Sequence, residues 1–587
     1  MKLFRRRAIS LTPFADEWKE YSFSYLSNDL WAAIAVALMT IPQSIAYSLL
    51  AGLPPTAGLY SAIFGTIFAA AFGSSRHLIS GPSTGTAILI QTSISDILSS
   101  YYETAVGAQK EMLALHILTQ IIIMMGVIQI AAGFLNVSKL LQFVSRPVVL
   151  GYFAGITIAI VVTQLFYFTG ISTDMRADSV LLKMWVLVSH IFQVNWWTLL
   201  VGFLSLGILL FLRKCFKNFP DALVMLVVAA ILSKVLNLWV QQGAILTLGD
   251  FKMAEEPIPV LTLPFIDLSL LNKIFPAAVA ISFLSILEVF SISRTFAAKS
   301  GKRINSNQDV FGVGVGNTIL SFISGSLPAS GSATRTALSY RLNAKTRLAA
   351  IFSGLIAATV IVFCWPWVGH VPLAALAALL MITVPALMNW KEIRLCFQAT
   401  REDAWVFLIT FVSCLIFSLD IAFFVGIIIS IASYLRKSAS PHFVEYAFNS
   451  KGRLMIVSPK ADAQRMVRII GISGELYFAS AEVFQSALQS IAEDSNVKAI
   501  VLRLNNIYHM DASMCLAILQ LYDNLKETNR HLVISGITEE VWHVFYRAGL
   551  VKKVGMDNFY FTDESNPQFS TWKACLRAQD LISPEIH

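Results

Sequence analysis

Ser80-Gly81-Pro82-Ser83-Thr84-Gly85-Thr86-Ala87 returns further along the chain as Ser330-Gly331-Ser332-Ala333-Thr334-Arg335-Thr336-Ala337. Ser, Gly, Thr, Thr and Ala recur in the same places, and each copy is a small, hydroxyl-rich break in an apolar chain that leads into a helical segment. Matching interruptions in two halves of an apolar chain point to a ligand site between internal repeats. A helix that begins inside such a chain leaves its first N–H groups unpaired and presents the positive end of its dipole. Two such ends facing each other make an anion site.

Composition says what surrounds these breaks. The chain has 587 residues, of which 56% are hydrophobic and 14% charged, with a mean hydropathy of +0.66. Soluble domains carry about 25% charged residues, so this is a membrane chain. A net charge of +8 raises nucleic acid as a partner, but there is no basic stripe with interleaved aromatics. The basic clusters Arg5-Arg6-Arg7, Arg213-Lys214 and Arg436-Lys437 sit beside apolar segments and read as positive-inside anchors. The six cysteines form no C-x-x-C pair, so neither a disulfide framework nor a metal site is expected. Residues 8–27 are amphipathic and lack the apolar core and cleavage box of a signal peptide.

Fourteen apolar stretches approach bilayer-spanning length, some of them short. The first seven fall near 28–50, 57–74, 84–99, 112–135, 147–170, 196–213 and 220–240; the second seven near 275–298, 308–323, 332–345, 346–368, 371–389, 403–418 and 420–436. The third of each set is the segment that follows a break. Seven spans per repeat require the second repeat to be inverted, and an even total puts both ends on one side, the cytoplasmic one by the basic clusters. Segment 178–193 reads as an interfacial helix, and 241–274, with Pro257, Pro259 and Pro264, as the link between halves. The domains expected are a cytoplasmic segment 1–27, a membrane domain 28–437 (repeats 28–240 and 275–437), a linker 438–466 and an α/β domain 467–587. In the last, Val467–Ser473, Val497–Leu504, His531–Ile537 and Asn558–Thr562 read as strands, and 481–493, 512–528 and 539–548 as helices.

The candidate anion site takes hydroxyls from Ser83, Thr84, Ser332 and Thr334, close backbone approach at its glycines, Gly85 among them, a place in the first turn for Ala333, and a full positive charge from Arg335. Ser285, Glu288, Ser291 and Thr295 form a polar stripe at helical spacing. A carboxylate at that depth is either paired or protonated, and a proton whose binding depends on another ligand can couple transport. Pairing with Arg335 or Arg294 is the structural alternative for Glu288. Gln43 and Tyr47, with Thr40 and Ser44, form the matching face of the first repeat; for Thr40 and Ser44 helix packing is an equal reading. Gly81-Pro82-Ser83-Thr84-Gly85 fits a nucleophile elbow, but no strand precedes it and no His and Asp partners are evident, so no enzyme is expected. Gly312-Val313-Gly314-Val315-Gly316 lacks the setting of a dinucleotide fingerprint and reads as small-residue packing.

Ile41-Pro42-Gln43-Ser44-Ile45-Ala46-Tyr47 and Ala51-Gly52-Leu53-Pro54-Pro55-Thr56-Ala57-Gly58-Leu59-Tyr60 resemble the first-span signature of the sulfate permease (SulP) anion transporters. Asn305 to Thr336, with its Asn-Gln-Asp start and its Pro-x-x-Gly-Ser-x-x-Arg-Thr-Ala ending, resembles that family's second signature. The tail is similar to the STAS domain that follows the transporter in this family. The resemblance implies a seven-plus-seven inverted repeat divided into core and gate domains, an anion between the N-termini of the third and tenth helices, and elevator movement of the core. It further implies that Glu288 matches the acidic residue associated with coupling, by a proton or else sodium, and that Arg335 matches the basic residue of the tenth span. A homodimer and a cytoplasmic partner of the STAS domain are expected on the same ground. Asp511-Ala512-Ser513 falls where related regulatory domains carry a phosphorylatable Ser, although Met514 replaces their usual Gly; a helix-cap role is the alternative. The expectation is a secondary active symporter in the plasma membrane for sulfate or a related oxyanion, needing no cofactor. Bicarbonate, chloride or dicarboxylate transport or exchange is the alternative.

Overall fold

The computed structural model describes residues 9–13, 21–102, 108–137, 144–171, 179–216, 220–240, 245–250, 257–264, 267–301, 304–439, 441–449, 452–457, 465–492, 494, 496–507, 509–563 and 566–582. The Arg5-Arg6-Arg7 cluster and parts of segments 1–27, 241–274 and 438–466 lie outside them. The chain divides into two compact units, Met1–Ser430 and Ile431–His587.

In the first unit the first repeat forms α1 (Leu26–Leu50), α2 (Pro55–Phe72), β1 (Ser80–Gly81), α3 (Thr84–Tyr101), α4 (Ala108–Phe134), α5 (Arg146–Thr169), α6 (Val180–Ser189), α7 (Trp196–Cys215) and α8 (Asp221–Val240). The second forms α9 (Leu268–Ser300), α10 (Ser306–Leu320), β2 (Ser330–Gly331), α11 (Ala333–Arg341), α12 (Leu348–Val368), α13 (Leu373–Thr383), α14 (Trp390–Ala399), α15 (Arg401–Ile416) and α16 (Leu419–Ser438), the last of which runs across the boundary between the units. A helix stands at each of the fourteen segments expected. Eight helices among the described residues are long and apolar enough to cross a membrane. α11 and α13, with 9 and 11 residues, are too short to cross alone. The stretch 371–389 ends as a helix at Thr383, and α14, an amphipathic helix that periodicity overlooked, follows it.

Small residues set the packing. Added at Gly312 of α10, a Cβ would lie 2.7 Å from the Ala69 carbonyl oxygen of α2; at Gly314 it would lie 2.8 Å from the Ile130 nitrogen of α4. The glycine run therefore lets α10 lie against two helices at once, as its small-residue reading expects. Thr40, Ser44 and Ser48 turn their hydroxyls back to carbonyls four residues earlier in α1, at 2.6, 2.7 and 3.0 Å. Thr40 and Ser44 thus serve their own helix. The helices sort into two packing groups: α10 packs on α4 and α2, α12 on α1 and α9 on α4, whereas α15 and α13 pack on α5, and α8 on α7.

In the second unit a six-stranded sheet has the order β4-β3-β5-β6-β7-β8, built from β3 (His442–Phe448), β4 (Leu454–Ile456), β5 (Val467–Ser473), β6 (Ala499–Asn506), β7 (His531–Ile537) and β8 (Phe559–Phe561). β5 to β8 are parallel, joined by crossover helices that include α17 (Ala481–Ala492), α18 (Ala512–Glu527) and α19 (Glu539–Arg547). The expected strands and helices are all present. The stretch read as linker, 438–466, instead supplies β3 and β4: β3 pairs antiparallel with β5 from His442↔Ser473 to Tyr446↔Ile469. β3 is half-buried along most of its length, so its sequence lacks the alternation that marks a strand. A last helix, α20 (Phe569–Ile582), buries Ala574 and Ala578 with Ile469, Val501 and Val533 of the sheet.

Candidate functional site

The two breaks meet. β1 and β2 pair antiparallel, Ser80 opposite Gly331 and Gly81 opposite Ser330. Exchanging the echo positions, 80 for 330 and 81 for 331, maps this register onto itself, which is the local two-fold that inverted repeats require. The strands lead into α3 and α11, whose first turns reach one cavity of ≈ 320 Å³.

Its lining includes Gln43 and Tyr47 from α1, Ser83, Thr84 and Gly85 from the first break, Glu288 and Ser291 from α9, and Ser332, Ala333 and Thr334 from the second. The far wall is Arg146, Val149, Leu150 and Phe153 of α5, with Thr383 and Asn389. The cavity thus lies between the two packing groups.

The copies differ in what they offer. Ser83 is the N-cap of α3, its hydroxyl accepting from the Thr86 nitrogen at 3.3 Å, and Thr84 follows it as the first residue of the helix. Both are buried. Ser332 occupies the N-cap position of α11 without a side-chain cap bond, and Ala333 and Thr334 are exposed. Gln43 is buried, and its Oε1 has no hydrogen-bond partner among the described residues. Gln43 Oε1 is therefore an uncommitted acceptor, while the Ser332 and Thr334 hydroxyls at the first turn of α11 meet, among the described residues, only each other, at 3.4 Å.

Glu288 reaches from α9 to the second break, where Ser330 Oγ donates to its Oε2 at 2.5 Å. A Cβ at position 85 would stand 3.1 Å from Glu288 Oε1 and 3.0 Å from Leu284 Cδ2, so the glycine lets the carboxylate close onto α3. Of the polar stripe, Glu288 and Ser291 line the cavity. Ser285 is fully buried, and Thr295 returns its hydroxyl to the Ser291 carbonyl at 2.7 Å.

Arg335 is elsewhere than its sequence position suggests. It is 0% exposed and is not among the lining residues; its Nη2 donates to the Pro82 carbonyl at 2.7 Å. Gly81, at φ +150°, leaves room for this: a Cβ there would lie 2.8 Å from Arg335 Nη1. Arg335 holds the first break from behind, and its charge reaches the cavity only through space. Its guanidinium and the Glu288 carboxylate bracket the two breaks without a direct ion pair in the structure.

Two side chains to which the sequence assigned no site role, one of them the Asp of the Asn-Gln-Asp start, fix the segments that lead into the breaks. Asn317 of α10 accepts from the Ala329 nitrogen at 2.6 Å, donates to the Ala329 carbonyl at 3.0 Å and reaches Gln129 of α4 at 2.7 Å. Asp309, almost fully buried, accepts from the Ser74 and Ser75 nitrogens at 2.6 and 2.8 Å and from the Ser293 hydroxyl at 2.8 Å. A carboxylate inside an apolar run was the available signal. Arg146 and Asn389 had none, because they lie at helix ends far from either motif.

In the second unit Asp511 is the N-cap of α18, accepting from the Met514 nitrogen at 3.0 Å and from the Phe478 nitrogen at 2.7 Å. The cap reading holds for Asp511. Ser513 stands half-buried in the first turn, and Met514 is buried. Among the described residues no group of three His, Cys, Asp or Glu side chains is placed to hold a metal ion.

Residues 26–410 match the model of the sulfate permease family, and residues 458–565 that of the STAS domain. The chain belongs to the sulfate permease family. It is a multi-pass membrane protein with a STAS domain, an anion transporter and not an enzyme. Among its relatives, "Probable sulfate transporter 4.2" of Arabidopsis thaliana is 28% identical over 91% of this chain and 80% of that protein. The fold is similar to that of the murine Solute Carrier 26 family member A9 anion transporter in the inward-facing state, with a TM-score of 0.87 and 18% identity over 98% of this chain and 97% of that one. The transmembrane domain of a cyanobacterium bicarbonate transporter, BicA, matches 70% of this sulfate permease chain and 98% of its own with a TM-score of 0.58 and 22% identity.

Proposed function

We propose that this sulfate permease carries sulfate or a related small oxyanion together with a proton bound by Glu288. The single observation behind the reading is that Glu288 lines the same cavity as the first turns of α3 and α11. An ionised carboxylate there repels an anion held at the helix N-termini, and a protonated one does not. Anion binding therefore raises the affinity for the proton, and the proton raises the affinity for the anion, by reciprocal linkage. The anion is held by backbone N–H groups, Gln43, Ser332 and Thr334, with Arg335 supplying positive potential from behind. The group holding α1, α3, α9 and α11 moves as an elevator core against the group holding α5 and α13. The protein works in the plasma membrane with both termini cytoplasmic, as a dimer, with its STAS domain open to a cytoplasmic partner and to modification at Ser513.

The test is uptake into proteoliposomes of labelled sulfate, bicarbonate and dicarboxylates, with and without pH and sodium gradients. Sulfate uptake driven by an acidic exterior is the expected result. Uptake indifferent to the pH gradient, or driven by sodium alone, removes the proton, and preference for another anion removes sulfate.

A further inference from the structure

Arg146, the first residue of α5, lines the cavity on the wall opposite the breaks. Its guanidinium is already engaged. Nε meets Glu392 Oε2 at 2.7 Å and Nη2 meets Oε1 at 3.0 Å, the two-pronged geometry by which arginine binds carboxylates and tetrahedral oxyanions. Asn389, also on the cavity lining, donates from Nδ2 to the same Oε1 at 2.7 Å. Glu392 thus holds its two carboxylate oxygens where a substrate would hold two of its own.

The pair is open to water. The Arg146 and Glu392 side chains are 60% and 33% exposed, and ion pairs that wet contribute little to stability. Such a contact is easily exchanged for a competing anion. The wall facing α3 and α11 therefore carries a cation that is neutralised at rest and freed by the arrival of negative charge.

We propose that Arg146 is a peripheral subsite for the transported oxyanion, and that Glu392 is its resident occupant, displaced when the anion enters. The subsite takes anions that offer two oxygens to the guanidinium fork, sulfate, bicarbonate or a carboxylate, in preference to a halide. Asn389 keeps Glu392 near after displacement, so the carboxylate returns to Arg146 once the anion has passed to the breaks. This inference rests on the reading of the protein as an oxyanion carrier.

The test compares Glu392→Gln, Arg146→Gln and the double variant, by uptake and by direct binding of labelled sulfate to the purified full-length protein. Removing the competitor in Glu392→Gln is expected to lower KM and Kd for sulfate by about threefold to fivefold, and to leave chloride little changed. Arg146→Gln is expected to raise KM about tenfold, more than it lowers kcat, and to flatten the dependence of KM on ionic strength. The double variant should match Arg146→Gln alone. Should Glu392→Gln leave the sulfate constants unchanged, or keep its effect without Arg146, the subsite is overturned. A fall in kcat and expression shared by both single variants, with KM fixed, makes the pair a tether of α14 and also overturns it. Sulfate binding without uptake in the wild type defeats the transport reading, and the variants' Kd values still judge the subsite; no binding at all defeats both.

Discussion

The Arg335 Nη2 nitrogen stands 2.7 Å from the carbonyl oxygen of Pro82, so one repeat holds the break of the other by a charged hydrogen bond. Arg335→Ala removes that hold. The expected outcome is weaker sulfate binding together with a lower unfolding temperature, because a hydrogen bond to a charged group contributes about 1.5–3 kcal/mol. Arg335→Lys keeps the charge and loses the fork, and is expected to recover only part of the binding. An unchanged Kd in Arg335→Ala, read by binding of labelled sulfate, separates this side chain from the site.

Glu288→Gln keeps a group that can accept from Ser330 and removes the titrating proton. Folding and membrane insertion should persist while pH-driven uptake is lost. Proton-coupled uptake at the wild-type level in this variant would end the coupling role of Glu288.

Gly85→Ala puts a methyl group 3.1 Å from Glu288 Oε1 and 3.0 Å from Leu284 Cδ2. Those distances are tight on both sides, so the Glu288 carboxylate and the Leu284 side chain must each give by a few tenths of an ångström. The expected result is uptake lowered by about tenfold or more, with the pH dependence shifted, in a protein that elutes normally on size exclusion.

Asp309→Ala leaves the Ser74 and Ser75 nitrogens and the Ser293 hydroxyl without their acceptor. The expected loss of stability is on the order of 3 kcal/mol. Asp309→Asn, which keeps one acceptor oxygen, should cost less; thermal unfolding in detergent ranks the two.

In the STAS domain, burial, with Asp511 adding to it, pushes the Cys515 thiol up to about 11. An unfolded cysteine ionises near 8.5. The folded form holds its proton longer, so this group's contribution to stability is full below about 8.5 and is lost as pH rises toward 11. At pH 8 Cys515 should resist a maleimide that labels it fully once the protein is denatured, as mass spectrometry of the labelled peptides would show. Fast labelling of native protein contradicts the burial.

The sequence by itself determined the membrane chain, the two matching halves, the helical segments, most of the α/β tail and the group of residues that would meet at the breaks. These follow from local rules: apolar runs of spanning length, a repeated pattern of small and hydroxyl residues, and alternation in strands. Gln43, Tyr47, Glu288 and the two echo segments were legible because each is a polar interruption in apolar surroundings. Tertiary structure alone decided the direction in which each side chain faces. Arg335 falls within the second echo yet turns behind Pro82, because the antiparallel pairing of Ser80 with Gly331 brings the first break's carbonyls across its path. Arg146 and Glu392 are 246 residues apart and become partners only when α5 and α14 pack. β3 looked like linker because its faces are both half-covered, and only its register with β5 makes it a strand. Periodicity records which residues leave water; contacts between distant residues, which give each polar group its partner, are fixed by packing.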